Sequence, residues 1–268
     1  MEYRKVILLG IIQGVTEWLP ISSTGHLLLF NEIFPLAVSE DFESVFMVVV
    51  QLGSILAVVV LYFEKLWPFK RDSKERGKSI NLWLKVIVAS LPAAVAGLLL
   101  DDLIDSKLSN YLVIAFSLFV YGVLYIYIEK KEKLRVRVNS LEELSYIDAV
   151  KMGAFQMLAL IPGTSRSGST ILGGLLCGIS RPVAAEFSFF MALPVMAGAS
   201  LLRLLKHGIG FTSSEWMILL LGSFVAFIVS LFSIKALVGY VRKHDFAVFG
   251  IYRVVLSVVV VLFFTLAH

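Results

Sequence analysis

Charge is scarce in this chain. Only 16% of its 268 residues are Asp, Glu, Lys or Arg, against about 25% in a soluble globular domain. With 58% hydrophobic residues and a mean hydropathy of +0.87, that shortage excludes an ordinary water-soluble fold. Cysteine is nearly absent too. Cys177 stands alone, which excludes an internal disulfide and a cysteine-based zinc site and leaves a small apolar packing residue. No H-E-x-x-H, Walker A, G-x-S-x-G or Rossmann pattern stands in a suitable context. The net charge of +4 and pI near 9.1 do not mark a nucleic-acid binder. The basic residues cluster in short segments between apolar runs, the pattern of membrane loops facing anionic lipid.

Apolar runs are what the chain has in quantity. Six are long enough to cross a bilayer core as helices, which takes about 20 residues. They run from Phe46 to Phe63, Leu82 to Leu100, Tyr111 to Ile128, Val183 to Leu205, Trp216 to Leu237 and Phe246 to Leu266. Two more are interrupted. Val6 to Phe34 is broken by Pro20, Ser22, Ser23, Thr24 and Gly25, and Ile147 to Ile179 by the run Pro162 to Gly168. Each half holds roughly 13 to 15 residues, about 20 Å of helix at 1.5 Å per residue, too short to span alone. A helix–break–helix hairpin that enters and leaves by one face is expected, because non-helical backbone at that depth survives only inside protein or beside a wet cavity. Arg4 and Lys5 ahead of Val6 to Ile12 look like the start of a signal peptide. Gln13 and Glu17 interrupt it and no small-residue cleavage site follows, so the segment is expected to be retained.

Loop charge predicts orientation. Lys65, Lys70, Arg71, Lys74, Arg76 and Lys78 follow the first span; Lys130, Lys131, Lys133, Arg135 and Arg137 follow the third; Arg242 and Lys243 follow the fifth. The second loop carries Asp101, Asp102 and Asp105 with one Lys107, and the fourth only Lys206 and His207. The three basic loops are therefore expected in the cytoplasm, with both termini outside, the first hairpin entering from outside and the second from inside. The expected fold class is an all-α polytopic membrane protein: six transmembrane helices plus two re-entrant helical hairpins, arranged as two inverted-topology repeats. It forms a single integral membrane domain over 1–268, with repeat one at about 1–130, a cytoplasmic loop at 129–145 and repeat two at about 146–268. At an offset of 143 residues, Gly10, Gln13, Ser22 and Gly25 match Gly153, Gln156, Ser165 and Gly168.

The breaks carry the chemistry. Gln13 and Glu17 are four apart and share one helix face. A carboxylate there either snorkels to the surface or serves a function, as intramembrane charges do by default. Ser22, Ser23, Thr24 and His26, all within ten residues of Glu17, favour function. His26 is the one histidine inside an apolar region; His207, His244 and His268 lie in loops or at the terminus. In the second break, Gly163 and Gly168 let backbone approach a ligand, and the following helix N-terminus favours an anion. Arg166 adds a planar fork of donors suited to phosphate oxygens. The hydroxyls of Ser165, Ser167 and Thr170 complete a cradle, or else cap the helix. If the two tips meet, the site suits phosphoryl transfer on a lipid, with a divalent metal held by Glu17 and Gln13. Three features read as structural: Ser145 with Asp148 as a capping box, Glu186 in the first turn of a helix, and the charged run Glu129 to Glu143 as a solvated loop.

At these residues the chain resembles the bacterial undecaprenyl-diphosphate phosphatase family, also called bacitracin-resistance proteins. The family's (Glu/Gln)-x-x-x-Glu signature matches Gln13 and Glu17, followed by Ser-Ser-Thr-Gly-His at Ser22 to His26. Its Pro-Gly-x-Ser-Arg-Ser-x-x-Thr signature matches Pro162 to Thr170 at every fixed position, with Gly163, Thr164, Ser165 and Ser167 among the expected substrate contacts. The similarity extends to Gln51–Ser54 and Glu186–Ser188. The resemblance implies hydrolysis of undecaprenyl diphosphate to the monophosphate carrier lipid of cell-wall synthesis. It also implies a magnesium or calcium ion, a membrane-lipid setting with the site open to the outer face, and a homodimer. Ser23 is then the nucleophile, His26 its base or acid, Arg166 a clamp on the phosphates, and Glu17 a metal or proton residue. Position 13 departs from the two-carboxylate form, which weakens residue 13 as an acid, base or strong metal ligand. A polyprenyl-phosphate transporter on the same inverted-repeat plan is the alternative reading.

Overall fold

The computed structural model describes residues 2–130 and 135–267, excepting the side chains of Glu40, Asp101, Asp102, Asp105 and Ala267. Lys131 and Lys133 of the third basic segment lie outside the described residues. Among those described, structure is helical apart from one isolated bridge between Val138 and Ile179. The first five helices are α1 (Glu2–Thr16), α2 (Ser23–Ile33), α3 (Glu40–Leu61), the short α4 (Phe63–Leu66) and α5 (Ser73–Lys107). Then come α6 (Tyr111–Lys130), α7 (Tyr146–Leu158), α8 (Arg166–Leu176), α9 (Arg181–His207), α10 (Ser213–Val241) and α11 (Ala247–Ala267). Segments Asp41–Leu61, Ser73–Leu100, Tyr111–Lys130, Arg181–His207, Ser213–Val241 and Ala247–Leu266 are long and apolar enough to cross a membrane. They coincide with the six runs read from sequence, and the chain is a multi-pass membrane protein.

Helices begin where a side chain can accept from an otherwise orphaned N–H. Ser39 caps α3 and Asp72 caps α5, while capping boxes built from Ser145 with Asp148 and Thr212 with Glu215 open α7 and α10. Asp148 is buried and also pairs with Arg137. Burial pushes its carboxyl up, but the bonds from Arg137 and Ser145 outweigh that and hold it below the usual carboxylate range. The run Glu129 to Glu143 is thus not simply a solvated loop. Glu129 lies in the last turn of α6 with its carboxylate buried, paired with Arg181 and accepting the Phe246 N–H at 3.0 Å. The α6 end meets the starts of α9 and α11 there, and a charge run cannot reveal which of its members turns inward.

Helices pack by close backbone approach, as lipid offers no hydrophobic drive between them. The main pairings are α6 with α11, α3 with α10 and α9, α1 with α10, and α5 with α7 and α9. A Cβ on Gly53 of α3 would stand 1.9 Å from the Ser223 carbonyl oxygen of α10. Gly122 of α6 and Gly250 of α11 face each other, each leaving no room for a methyl against the other's carbonyl, at 2.8 and 2.7 Å. The outer faces expose Leu98, Leu99, Phe116, Leu220, Phe224 and Phe232, as a hydrocarbon solvent permits. The main core centres on α9, whose Phe187, Phe189, Phe190 and Met191 are fully buried. Against it lie both helix breaks.

Gly53→Ala is expected to destabilise the protein by about 1–3 kcal/mol through overpacking, read as a lower melting temperature in detergent. Gly198→Ala, where a Cβ meets nothing within 4 Å, is expected to leave it unchanged or raise it.

Candidate active site

Both breaks end alike. Ser22 and Ser165 have φ of 73° and 71°, the left-handed region that non-glycine residues seldom occupy. In that conformation each serine becomes the N-cap of the next helix. Ser22 Oγ accepts from the Gly25 N–H at 3.4 Å, and Ser165 Oγ from the Gly168 N–H at 3.1 Å. Such backbone costs about 1–3 kcal/mol per residue and persists only where the surroundings enforce it.

Arg253 of α11 is a main part of that enforcement. Its guanidinium, fully buried, donates to the carbonyls of Gly163 and Thr164 at 2.9 Å each and of Pro20 at 3.3 Å. One side chain thus ties the first break to the second. The Tyr125 hydroxyl adds a bond to the Gly168 carbonyl at 2.7 Å. Gly163, at φ 87°, lies against α6 where a Cβ would meet the Ile114 carbonyl oxygen at 2.5 Å. Ser167 Oγ donates to the Glu17 carbonyl at 3.0 Å and lies 3.2 Å from that of Leu19. Its hydroxyl stitches the breaks together.

With the backbones fixed, Glu17 and Arg166 meet. Arg166 Nη2 donates to Glu17 Oε1 at 3.0 Å, and the two side chains are only 10% and 6% exposed. Gln13 Nε2 and Ser23 Oγ both donate to Glu17 Oε2, at 2.9 and 3.2 Å. Arg166 Nη1 donates to the Ser188 carbonyl of α9 at 2.8 Å. Its guanidinium carbon lies 5.5 Å from the Trp18 ring centroid, and Trp18 stands edge-on to Phe189. Thr170 Oγ1 reaches Ser188 Oγ at 2.6 Å and the Arg166 carbonyl at 2.8 Å.

The fold therefore brings together Gln13, Glu17, Ser23, Arg166, Ser167 and Thr170. Ser22 and Ser165 serve as caps, Thr164 is buried and Thr24 is exposed. His26, half-buried, turns elsewhere. Its Nδ1 lies 2.7 Å from the Ser22 carbonyl oxygen and its Nε2 2.6 Å from the Tyr252 hydroxyl. Two contributors lie outside the motifs: Tyr252 and Arg253. Arg253 has a visible signal, an arginine in the middle of an apolar span. Tyr252 has none, because its importance comes from what α11 packs against, and Ser188 lies in the Glu186–Ser188 stretch of the family resemblance with no role of its own read there.

The donor set suits a hard cation. Gln13 Oε1 is buried without a partner, beside a carboxylate and a hydroxyl, and oxygen ligands are what magnesium and calcium take. Among the described residues no cluster of three His, Cys, Asp or Glu side chains stands ready for a metal, so phosphate oxygens would complete such a shell.

Known proteins resemble the chain over most of its length. The family model for bacitracin resistance protein BacA matches residues 6–259. An undecaprenyl-diphosphatase of Acetivibrio thermocellus is 52% identical over 267 residues, covering 98% of both chains. One of Desulfitobacterium hafniense is 54% identical, covering 99% of this chain and 97% of its own. Undecaprenyl-diphosphatase 1 of Clostridioides difficile is 53% identical with the same coverage.

Arg253→Met is expected to lower stability by on the order of 3 kcal/mol, since the carbonyls of Pro20, Ser117, Gly163 and Thr164 lose their donor. A detergent melt checks this. An unshifted melting temperature would mean the breaks hold without Arg253.

Proposed function

The chain belongs to the bacitracin resistance protein BacA family, and we propose that it hydrolyses undecaprenyl diphosphate to undecaprenyl phosphate and inorganic phosphate. The observation that carries this reading is the Glu17–Ser23–Arg166 group. It sets a hydroxyl and a carboxylate from one break against a guanidinium from the other, 149 residues away. The names of the relatives favour hydrolysis over a transporter that binds the lipid without cleaving it.

The contacts support roles for Arg166, Ser23 and Glu17. Arg166 supplies planar donors to the phosphate oxygens, where charge stabilisation is most of the catalysis. Its bonds to Ser188 fix the plane of that fork. Ser23 attacks phosphorus or orients the water that does, and Glu17, already accepting from its hydroxyl, takes the proton. His26, by the family resemblance, acts as acid or base on the oxygens of the reacting phosphates once its ring leaves Tyr252. Ser22, Thr24, Gly163, Thr164, Ser165, Ser167 and Thr170 shape the phosphate pocket, chiefly through backbone they hold in place. A magnesium or calcium ion would be held by Glu17 and Gln13 and would supply neutralisation of phosphate charge.

The reading extends to topology. The two broken segments are re-entrant hairpins, and the chain is two repeats of opposite sense in the plasma or inner membrane. The site opens on the outer side. Support comes from half-helices of 15, 11, 13 and 11 residues, too short to span. The matched φ of Ser22 and Ser165, 143 residues apart, adds to it. The outer-side assignment rests on the basic loops. A homodimer rests on the family resemblance alone.

Purified protein given undecaprenyl diphosphate and magnesium or calcium is expected to release phosphate. EDTA should abolish release, and Arg166→Ala should reduce turnover by about 100-fold or more. Well-folded wild type that releases none with metal added would overturn the hydrolase reading. Release that persists undiminished in EDTA would overturn the metal.

A further inference from the structure

Four residues of the basic segments share a cavity that none of Glu17, Ser23 and Arg166 lines. Where the ends of α4, α5, α9 and α10 converge, a cleft of about 500 Å³ is walled by Lys65, Lys70 and Lys78 from the first basic segment and Arg242 from the third. Lys85 of α5 is the fifth cation. Three carboxylates line it as well. Glu186 pairs with Lys65, and Glu75 with Lys78 at 2.6 Å and Lys70 at 3.9 Å. Glu142 is exposed. Five cations thus face three carboxylates, and the walls stay net positive.

Lys85 is the unusual member. It is only 4% exposed, and among the described residues it makes no ion pair. Its Nζ reaches the backbone carbonyls of Leu141 and Glu142 at 3.3 and 3.5 Å, longer than the usual range for such bonds. An ammonium has three protons to donate. Two long contacts to neutral carbonyls leave it poorly compensated, and a buried charge without a counter-charge is costly. An anion in the cleft would supply both the counter-charge and the missing acceptor.

The surroundings indicate which anion. Trp67 and Phe69, 44% and 75% exposed, lie in sequence between Lys65 and Lys70, and exposed aromatics beside lysines mark the membrane–water interface. Phosphate groups of lipids lie at that level, and basic pockets between helix ends take them. Arg242, exposed and without an ion pair among the described residues, adds a planar fork of donors that matches phosphate oxygens.

We propose that this cleft is a second anion site, separate from the active site, which binds a phosphate group at the membrane surface with the buried Lys85 ammonium as its counter-charge. The group belongs to a phospholipid headgroup or to free phosphate. The test reads binding to the full chain in detergent and not turnover, so the hydrolase reading can fail and leave it standing. One arm titrates inorganic phosphate against chloride at matched ionic strength and follows the melting temperature. The other uses native mass spectrometry to compare retention of phosphatidylglycerol with that of phosphatidylcholine.

Wild type is expected to respond in at least one arm. Lys85→Met keeps the apolar stem and removes the charge, and it is expected to weaken that response about tenfold. Phosphate held at the active site would be common to wild type and variant, so the difference between them reports the cleft. Arg242→Gln, at an exposed position, gives the same reading should Lys85→Met fail to fold. A response to phosphate alone would identify a free anion, one to phosphatidylglycerol alone a headgroup, and one to both the phosphate group they share. No response in either arm would overturn the proposal, as would one that both substitutions leave unchanged.

Discussion

A carboxylate and a guanidinium, each nearly inaccessible to water, meet at Glu17 and Arg166, and much of the structure follows from keeping them together. Either charge alone in an apolar interior costs several kcal/mol. Together they are tolerable only with good geometry and with most of their remaining hydrogen-bond capacity filled; Arg166 Nε is left buried without a partner. Gln13 and Ser23 fill one oxygen of Glu17, and Ser188 and the Trp18 ring hold the guanidinium. These partners come from α1, α2, α9 and the first break. The pair therefore ties distant parts of the chain to one point.

That meeting requires two segments of irregular backbone inside a helical membrane protein. Much of their backbone is buried, so protein must satisfy its carbonyls and N–H groups. Arg253, Tyr125 and Ser167 do so for the carbonyls, and Ser22 and Ser165 for the first N–H groups of the resumed helices. The strained φ of the two serines is held by the same contacts. Acid, hydroxyl and guanidinium are in this way positioned by rigid backbone, which suits chemistry that depends mainly on placing charge around phosphate.

Much of this was legible before any coordinates. The spans follow from apolar runs, and Tyr111 to Ile128 read from sequence became Tyr111–Lys130. Glu17 and Arg166 stood out because charge within apolar sequence demands a reason. The breaks were placed less well. The second was expected to reach Gly168, but α8 begins at Arg166 because Ser165 adopts a left-handed φ and caps it, which a residue list does not disclose. The family resemblance implies that His26 addresses Ser23. Helix geometry and a partner 226 residues away turn its ring to Tyr252 instead. Arg253 carries its signal in its position within an apolar span. Glu129 reads as solvated in the sequence, because burial of one member of a charge run depends on tertiary packing.

The most direct test of this account is a double-mutant cycle on stability, measured by equilibrium unfolding of Glu17→Gln, Arg166→Gln and the double variant. Each single change leaves a buried charge unpaired and is expected to cost about 3–5 kcal/mol. The account predicts that the double variant is more stable than either single one, because its buried site carries no orphaned charge. Losses that simply add would contradict it, and would mean that the two side chains do not depend on each other.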